Sequence, residues 1–575
     1  MTSPAREIAY FTMEIGIDPN VPTYSGGLGM LAGDCIRSAA DLGLPLVTVS
    51  LLHRKGYFFQ KLDTHGNQTE EPTAWIVEDY LTRETPRTAV TIEGRTVHIA
   101  IWRFDVSGIG GTVPVYFLDT DLEENHPDDR NLTDELYGRD AEYRLRQEIV
   151  LGIGGVRALR ALGHSKLHVM HMNEGHPALL ILERAAEHAA SRGVDPTDDA
   201  VTAAVRHDCA FTTHTPVAAG HDCFPLGLVR RFLGDQPLLR DGLPYTSDGV
   251  LNLSKLALHY CGYSNAVSVR HRDVSRAMFP GYDIDAITNG VHAPSWVAPP
   301  IAKLLDEHCP DWRRDERHLR LALRIPAAAI RGAHAQAKRK LIQHVNNEYN
   351  AGLDVENFTI AFARRATPYK RATMLFHDLD RLAGICRQHG PVQFIFAGKA
   401  HPRDGAGKDL IRTIMSSLDK LKGVARGVYL PNYDFDLCRR MVAGVDLWLN
   451  NPLPPLEASG TSGMKAALNG VPSLSTLDGW WLEGCVEGVT GWAIGDDRYH
   501  AGVDAHVVDD RNADSASLYQ KLELHILPTY YQRPDDWARI MLHSIAINGS
   551  YFNTQRVMLR YLSRAYRRTP MGTAV

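Results

Sequence analysis

Cysteine is scarce and unpaired in this sequence. There are eight in 575 residues, spread from Cys35 to Cys485, and none forms a CxxC pair. That excludes a disulfide framework and predicts reduced, mostly buried thiols. No apolar run reaches the ~18–20 residues that cross a bilayer. The opening MTSPAREIAYF lacks a basic stretch followed by an apolar one, so no secretory leader is expected. The 26 histidines are scattered without HxH or HExxH spacing, so no metal site is expected. An excess of one charge is also missing. Lys and Arg number 62 against 67 Asp and Glu, a net charge of −5, which provides neither a nucleic-acid face nor a polybasic membrane surface. With 44% hydrophobic and 22% charged residues, the remaining reading is a soluble, cytoplasmic enzyme.

At roughly 150 residues per domain, the length predicts two to four units. Short branched runs at 44–52, 97–104, 113–117, 167–171, 358–363, 392–397 and 447–449 read as strands. Helical patterns alternate with them, one of them at 141–162. Such alternation implies α/β architecture with parallel sheets covered on both faces. ITNGVHAPSWVAPP at 287–300 is dense in turn formers and marks the best boundary. Ligands in such sheets bind beyond the carboxyl ends of the strands. The tail from about 540 to 568 has helical periodicity and is a candidate to pack back on the first domain.

Three segments carry chemistry. YSGGLGMLAGD at 24–34 places Gly26, Gly27 and Gly29 before a helical pattern. Glycines allow positive φ and close approach, and helix N-terminal amides point at anions. A tight turn without a ligand explains the composition equally well. AFARRATPYKRA at 361–372 sets Arg364, Arg365, Lys370 and Arg371 after an apolar strand. Such a cluster repels itself unless anions neutralise it; two phosphates would do so, and a solvated face with salt bridges is the other reading. LEASGTSGMKAALNG at 456–470 joins a small-residue turn to a helix with Lys465 one turn inside. Thr461, Ser462 and nearby amides suit a phosphate, and a lysine is what a Schiff-base cofactor needs. A nucleotide-phosphate loop or a solvated lysine fits the composition too.

Taken in order, GGLGMLAGD, NEGHPALL, THTPVAAGHD, ITNGVH, RRATPYKR and EASGTSGMK resemble the motifs of α-glucan phosphorylases of the short bacterial type. The resemblance covers the chain from Ile8 to about Tyr551. It implies two Rossmann-like domains facing a cleft, the GT-B arrangement. The implied boundaries are 1–290, 291–545 and a C-terminal helix at 546–575. It implies reversible phosphorolysis of α-1,4-glucan or maltooligosaccharide to glucose 1-phosphate with retention. The implied cofactor is pyridoxal 5′-phosphate, bound as a Schiff base on Lys465, whose phosphate exchanges a proton with substrate phosphate. A second pKa of about 6 suits that exchange.

By motif position, the resemblance gives Lys465, Arg365, Lys370, His214 and Glu457 catalytic roles. Arg364, Thr461, Ser462 and Gly463 would hold the cofactor phosphate, with Tyr433 and Trp296 lining its pocket. Gly27 and Leu28 would meet substrate phosphate, together with Arg365 and Lys370. His214, Asn289, Glu457, Ser459 and Gly460 would hold the glucosyl unit, bordered by Asn173, Glu174 and His176. The His214 carbonyl would face the oxocarbenium-like charge. No metal, nucleic acid or membrane is implied, and a homodimer is. Two departures stand out. Arg364 replaces the lysine of animal and plant members, and Leu453 and Pro454 replace an arginine pair of many bacterial relatives. Regulation by phosphorylation or nucleotides is not expected, because the N-terminal extension of animal members has no counterpart. The competing readings are an NDP-sugar glycosyltransferase on the same fold and a non-catalytic, phosphorylase-like carbohydrate-binding protein.

Overall fold

The computed structural model describes residues 7–495 and 509–566. Its framework is two large sheets, each parallel at its centre. In the first, the strands lie side by side as Asp285–Ala286, Tyr263–Ala266, Cys209–Thr212, Leu167–Asn173, Glu7–Thr12, Leu46–Leu51, Thr112–Asp119, Arg95–Ser107 and Thr82–Arg83. Neighbours are parallel as far as Thr112–Asp119, and Arg95–Ser107 then returns antiparallel. The second sheet runs Arg426–Leu430, Val392–Ala397, Phe358–Ala363, Leu447–Asn450, Ser473–Thr476 and Gly491–Ile494, all parallel. Phe358–Ala363 and Val392–Ala397 are buried at every position, which is why they read as unbroken apolar runs.

In both sheets the chain starts in the middle, winds to one edge, then returns and winds to the other. The reversal falls between Glu7–Thr12 and Leu167–Asn173 in the first, and between Phe358–Ala363 and Leu447–Asn450 in the second. Crossover helices leave to opposite sides at such a point, so a crevice opens beyond the strand ends. Glu14, Asn173 and Glu174 follow the first pair of strands. Arg364, Arg365 and the loop 451–460 follow the second.

The predicted strands are all present, with ends shifted by a few residues. Two helices differ from expectation. The one at 141–162 is broken by a π-helical turn, Val150–Gly154, between Ala141–Ile149 and Gly155–Ala161. Its glycines let it press on the sheet: a Cβ on Gly155 would lie 2.8 Å from Phe11, and one on Gly152 would lie 2.7 Å from the Leu180 nitrogen. The tail is interrupted at 552–553, after the π-helical turn Ser544–Gly549 and before the helix Thr554–Tyr561. There Asn553 caps the new helix through its side chain, and Thr554 N donates to Val291 O at 3.1 Å. Thr554 Oγ1 also meets Ser38 at 2.7 Å, and Tyr566 OH meets His171 Nδ1 at 2.7 Å, both in the first half. Residues 567 and 568 of the expected tail helix, and residues 1–6 of the opening segment, lie outside the described residues.

A hairpin of Phe59–Leu62 and Gln68–Glu71 reaches from the first half to the second. Gln60 donates to Gly398 O at 3.0 Å, and Gln68 donates to Ala400 O at 2.8 Å. Among the described residues, no helix is long and apolar enough to cross a membrane.

Candidate active site

The glycine segment is not a turn ahead of a helix. The helix itself begins at Gly27 and runs to Asp41, and none of Gly26, Gly27 and Gly29 has a positive φ. What Gly29 and Gly33 supply is closeness. A Cβ on Gly29 would meet Glu14 Oε2 at 2.7 Å, and one on Gly33 would meet Gly16 O at 2.0 Å. Glu14 is buried and accepts from Ser25 N at 2.6 Å and Gly26 N at 3.3 Å, while Tyr137 OH donates to its other oxygen at 2.9 Å. Two of the leading amides are therefore satisfied. The next residue, Gly27, has open space before it.

Arg365 faces this segment, its Nη2 standing 3.4 Å from where a Gly26 Cβ would lie. The side chain is open to solvent yet surrounded by cleft walls. That enclosure disfavours its charge, but Tyr57, Tyr369 and Glu14 more than offset it and raise its pKa. Its neighbours in sequence are already neutralised. Arg364 donates to Glu457 Oε1 at 2.8 Å and to Asn450 Oδ1 at 3.1 Å. Lys370 donates to Glu457 Oε2. Arg371 binds Asp514 at 2.7 Å and the Asn451 carbonyl at 2.9 Å. Of the two readings of this cluster, bound phosphates or salt bridges, salt bridges hold for most of it. Protein carboxylates neutralise three of the four, and of these four only Arg365 has no ion-pair partner among the described residues. Burial alone would push the Glu457 carboxyl up. The Arg364 and Lys370 charges win and hold it down at about 2.

The lysine loop opens a short helix, Ser462–Leu468. Gly463 is demanded by space, since a Cβ there would lie 2.8 Å from Trp480 and 3.0 Å from Ser473 Oγ. Ser462 Oγ accepts from Trp448 Nε1 at 3.0 Å, and Thr461 makes no side-chain cap. Lys465 is 4% exposed, with its Nζ 3.9 Å from the centre of the Trp296 ring. No hydrogen-bond acceptor among the described residues takes its protons. Trp296 Nε1 in turn donates to Asp34 Oδ2 at 2.7 Å, so the lysine pocket and the glycine helix share a wall. Tyr433 is half-buried there. Burial first, then Cys438, pushes its hydroxyl well up, and the Arg364 charge acts on it as well.

His214 follows the strand Cys209–Thr212. Its Nε2 lies 2.6 Å from Asn173 Oδ1, and its backbone N donates to Glu174 Oε2 at 2.8 Å. Glu174 has φ 74, a strained conformation for a non-glycine residue. Burial, then the nearby histidines His271, His171 and His176, lower the His214 pKa to about 3, so the ring is neutral near pH 7. Asn289 is held by its backbone: its N donates to Val267 O at 3.0 Å and Arg556 donates to its O at 3.0 Å. The side-chain Oδ1 of Asn289 and the Oγ of Ser459 are buried without partners. Both atoms remain free among the described residues to accept from or donate to a ligand's hydroxyls. His176 is drawn elsewhere, to Arg144 at 3.2 Å and Asp222 at 3.5 Å.

Sequence reasoning missed Glu14, Asp34 and Asp478. Asp478 is buried, accepting from Glu457 N at 2.8 Å and Gly479 N at 2.9 Å. Burial chiefly, with the Glu457 charge, raises its pKa to about 7. The available signal was an acid placed directly after an apolar strand, as in YFTME and LSTLD.

Comparison with known proteins agrees with this geometry. A family model described as carbohydrate phosphorylase matches residues 248–517. The maltodextrin phosphorylase of Thermococcus litoralis is 40% identical, over 97% of this chain and 70% of its own. The glycogen phosphorylase of Mycobacterium tuberculosis is 38% identical over the same shares. That of Aquifex aeolicus is 34% identical, over 98% of this chain and 86% of its own. With relatives of this identity over nearly its whole length, and with Arg365 facing the glycine helix and Lys465 buried against Trp296, the chain belongs to the carbohydrate phosphorylase family.

Proposed function

We propose that the protein catalyses reversible phosphorolysis of α-1,4-glucan or maltooligosaccharide, releasing glucose 1-phosphate with retained configuration. The observation that carries this reading is the state of the carboxylates. A hydrolase needs a protonated carboxyl beside the glycosidic oxygen. Here Glu457, the carboxylate among the cations, is held ionised by Arg364 and Lys370 and cannot supply a proton near neutral pH. Glu174 is occupied by His214 N and by Thr215 Oγ1 at 2.9 Å. Asp478 can hold a proton near pH 7, but it is buried behind Glu457 and spends its oxygens on the Glu457 and Gly479 amides. An acid that arrives with the substrates therefore fits the site best, and a phosphate at Arg365 brings one.

In this reading Arg365 and the amides of Gly27 and Leu28 bind inorganic phosphate, with Lys370 on its flank. Asn289, Ser459, Gly460, His214 and Glu457 orient the glucosyl unit, and Asn173 and Glu174 fix His214. Substrate phosphate gives its proton to the glycosidic oxygen as the C1–O bond breaks, and one of its oxygens then bonds to C1. Retention follows because the phosphate attacks from the face that the leaving oxygen vacates. The neutral His214 ring adds no positive charge beside the electron-poor anomeric carbon.

The residues present also fit pyridoxal 5′-phosphate. A buried amine with no acceptor lies against an aromatic face, which suits a carbonyl cofactor better than a solvated lysine. Lys465 would anchor it, Trp296 and Tyr433 would line its ring, and Arg364, Thr461, Ser462 and Gly463 would hold its phosphate. When bound, it would supply a phosphate monoester able to donate and accept a proton near pH 6. We take residues 1–290 and 291–545 as two domains, with 546–575 returning to the first, in a cytoplasmic homodimer.

The purified protein should absorb in the near ultraviolet to visible range, and borohydride should fix pyridoxal on Lys465. It should release glucose 1-phosphate from maltooligosaccharides only when phosphate is present. Release of free glucose without phosphate would overturn the reading.

A further inference from the structure

Asn289 and Ser459 come from opposite halves of the chain, and a side-chain oxygen of each is buried without a partner among the described residues. A sugar ring that touches both is held only if the two halves stand in register. Three contacts cross between the halves beside these residues, and Glu483 makes two of them. It belongs to the short helix Trp481–Gly484 of the second half. Its Oε1 accepts at 3.0 Å from Val269 N, the first amide of the helix Val269–Met278. Thr288 Oγ1 stands 3.0 Å from Glu483 Oε1 and 2.8 Å from Oε2, and its one proton serves either. The third contact adjoins the first: Ser268, which caps the Val269–Met278 helix, donates through Oγ to Ala458 O at 2.6 Å.

Each contact lands next to a position of the sugar site. Thr288 immediately precedes Asn289, and Arg556 donates to the carbonyls of both. Ala458 lies between Glu457 and Ser459. Trp480 N donates to Ser459 O at 2.9 Å, and Trp480 O in turn accepts from Glu483 N at 2.9 Å. Gly479 packs so closely there that a Cβ would lie 2.4 Å from the same Ser459 oxygen. Asn289 is therefore joined to Ser459 through Thr288, Glu483 and Trp480, by adjoining residues and short hydrogen bonds alone. Thr288 is buried and Glu483 half-buried, which strengthens the polar contacts between them. Both Glu483 oxygens are spent on the first half, so this side chain acts by holding other groups rather than by touching the sugar.

We propose that Glu483 is a positioning residue for the transferred glucosyl unit: through Thr288 it sets Asn289 of one half against Ser459 of the other, so that both meet the ring at once. The proposal rests on the phosphorylase reading for the identity of that unit. A misplacement of about 1 Å can cost roughly 100-fold in rate. Loss of the bridge therefore acts on the sugar and on kcat, and it spares the phosphate held at Arg365.

The test compares Thr288→Val, which keeps the side chain's shape and removes its proton, with Thr288→Ser, which keeps the hydroxyl. A second pair is Glu483→Ala and Glu483→Gln, the latter retaining an oxygen that accepts from Val269 N and Thr288. Full-length enzymes are assayed for phosphorolysis of maltoheptaose at varied phosphate. Binding of gluconolactone, whose flattened ring resembles the glucosyl unit as its bond breaks, is read by calorimetry in phosphate buffer. Thr288→Val and Glu483→Ala should lower kcat roughly 10- to 100-fold and weaken the lactone about tenfold or more, with KM for phosphate within about twofold. Thr288→Ser and Glu483→Gln should keep kcat and lactone affinity within about threefold of wild type. Thermal unfolding identifies the variants that fold. A folded Thr288→Val or Glu483→Ala enzyme with wild-type kcat and lactone affinity overturns the proposal. So does an equal loss of lactone and phosphate affinity, which marks a general loosening of the cleft, or a failure of both conservative variants to restore the lactone. Failure of the phosphorylase reading would look different: wild type itself would release no glucose 1-phosphate, with the calorimetry still readable.

Discussion

Glu457→Gln removes the one carboxylate that bridges Arg364 and Lys370. All three side chains are about nine-tenths buried. Breaking a buried pair leaves uncompensated charge and costs about 3–5 kcal/mol. The pKa gives an independent figure. A drop from 4.5 to about 2 corresponds to roughly 3 kcal/mol of stabilisation by the ionised form. Because the folded value is depressed, this stabilisation is complete above pH 4.5 and is lost as pH falls toward 2. Wild type and variant should therefore differ fully at pH 7 and converge in acid. The variant also leaves two cations near Arg365 without a counter-ion, and inorganic phosphate can provide one. A ligand at 100 times its Kd stabilises by about 2.7 kcal/mol. Thermal unfolding at pH 7, in phosphate and in chloride of equal ionic strength, reads this directly. The variant should melt lower in chloride and gain more from phosphate than wild type does. Equal melting in chloride, or a phosphate gain no larger than that of wild type, would refute the reasoning.

Two further outcomes follow from the same geometry. Arg365→Gln should raise KM for phosphate by roughly 10- to 100-fold, the worth of hydrogen bonds to a charged group, and leave KM for glucan within about twofold; initial rates at varied phosphate check this. Asp478 has a folded pKa raised from 3.8 to about 7, so its contribution is fully present below pH 3.8 and is lost as pH rises through 7. Asp478→Asn should therefore gain stability over wild type as pH rises from 5 to 8, seen as a widening Tm difference.

What could be read from the sequence was local. Phe358–Ala363 and Val392–Ala397 announce themselves because a strand buried on both faces has no polar position to interrupt it. Lys465 was legible because the small-residue turn before it and the helix after it are contiguous. The pairings across long separations were not. Nothing in RRATPYKR says that Glu457, tens of residues later, already neutralises Arg364 and Lys370 and leaves Arg365 alone. The glycines of GGLG read as carriers of positive φ. Gly29 turned out to be needed because Glu14 and Tyr24 lie against it, a tertiary requirement that no local pattern encodes. The tail was legible as helix, but its break was not, because Asn553 stops it to meet Val291, more than 200 residues earlier.

That meeting has a consequence for how the protein is made. Arg556 donates to the carbonyls of Thr288 and Asn289. Gly290 is pressed so closely on Asn553 that a Cβ would lie 2.3 Å from its carbonyl carbon. A ribosome delivers residue 289 well before residue 556, at about 5–20 residues per second. The first sheet can therefore assemble while its sugar-site loop still waits for its clasp. A polypeptide released before Arg556 would hold Asn289 by its amide to Val267 O alone, without the clasp on its carbonyl.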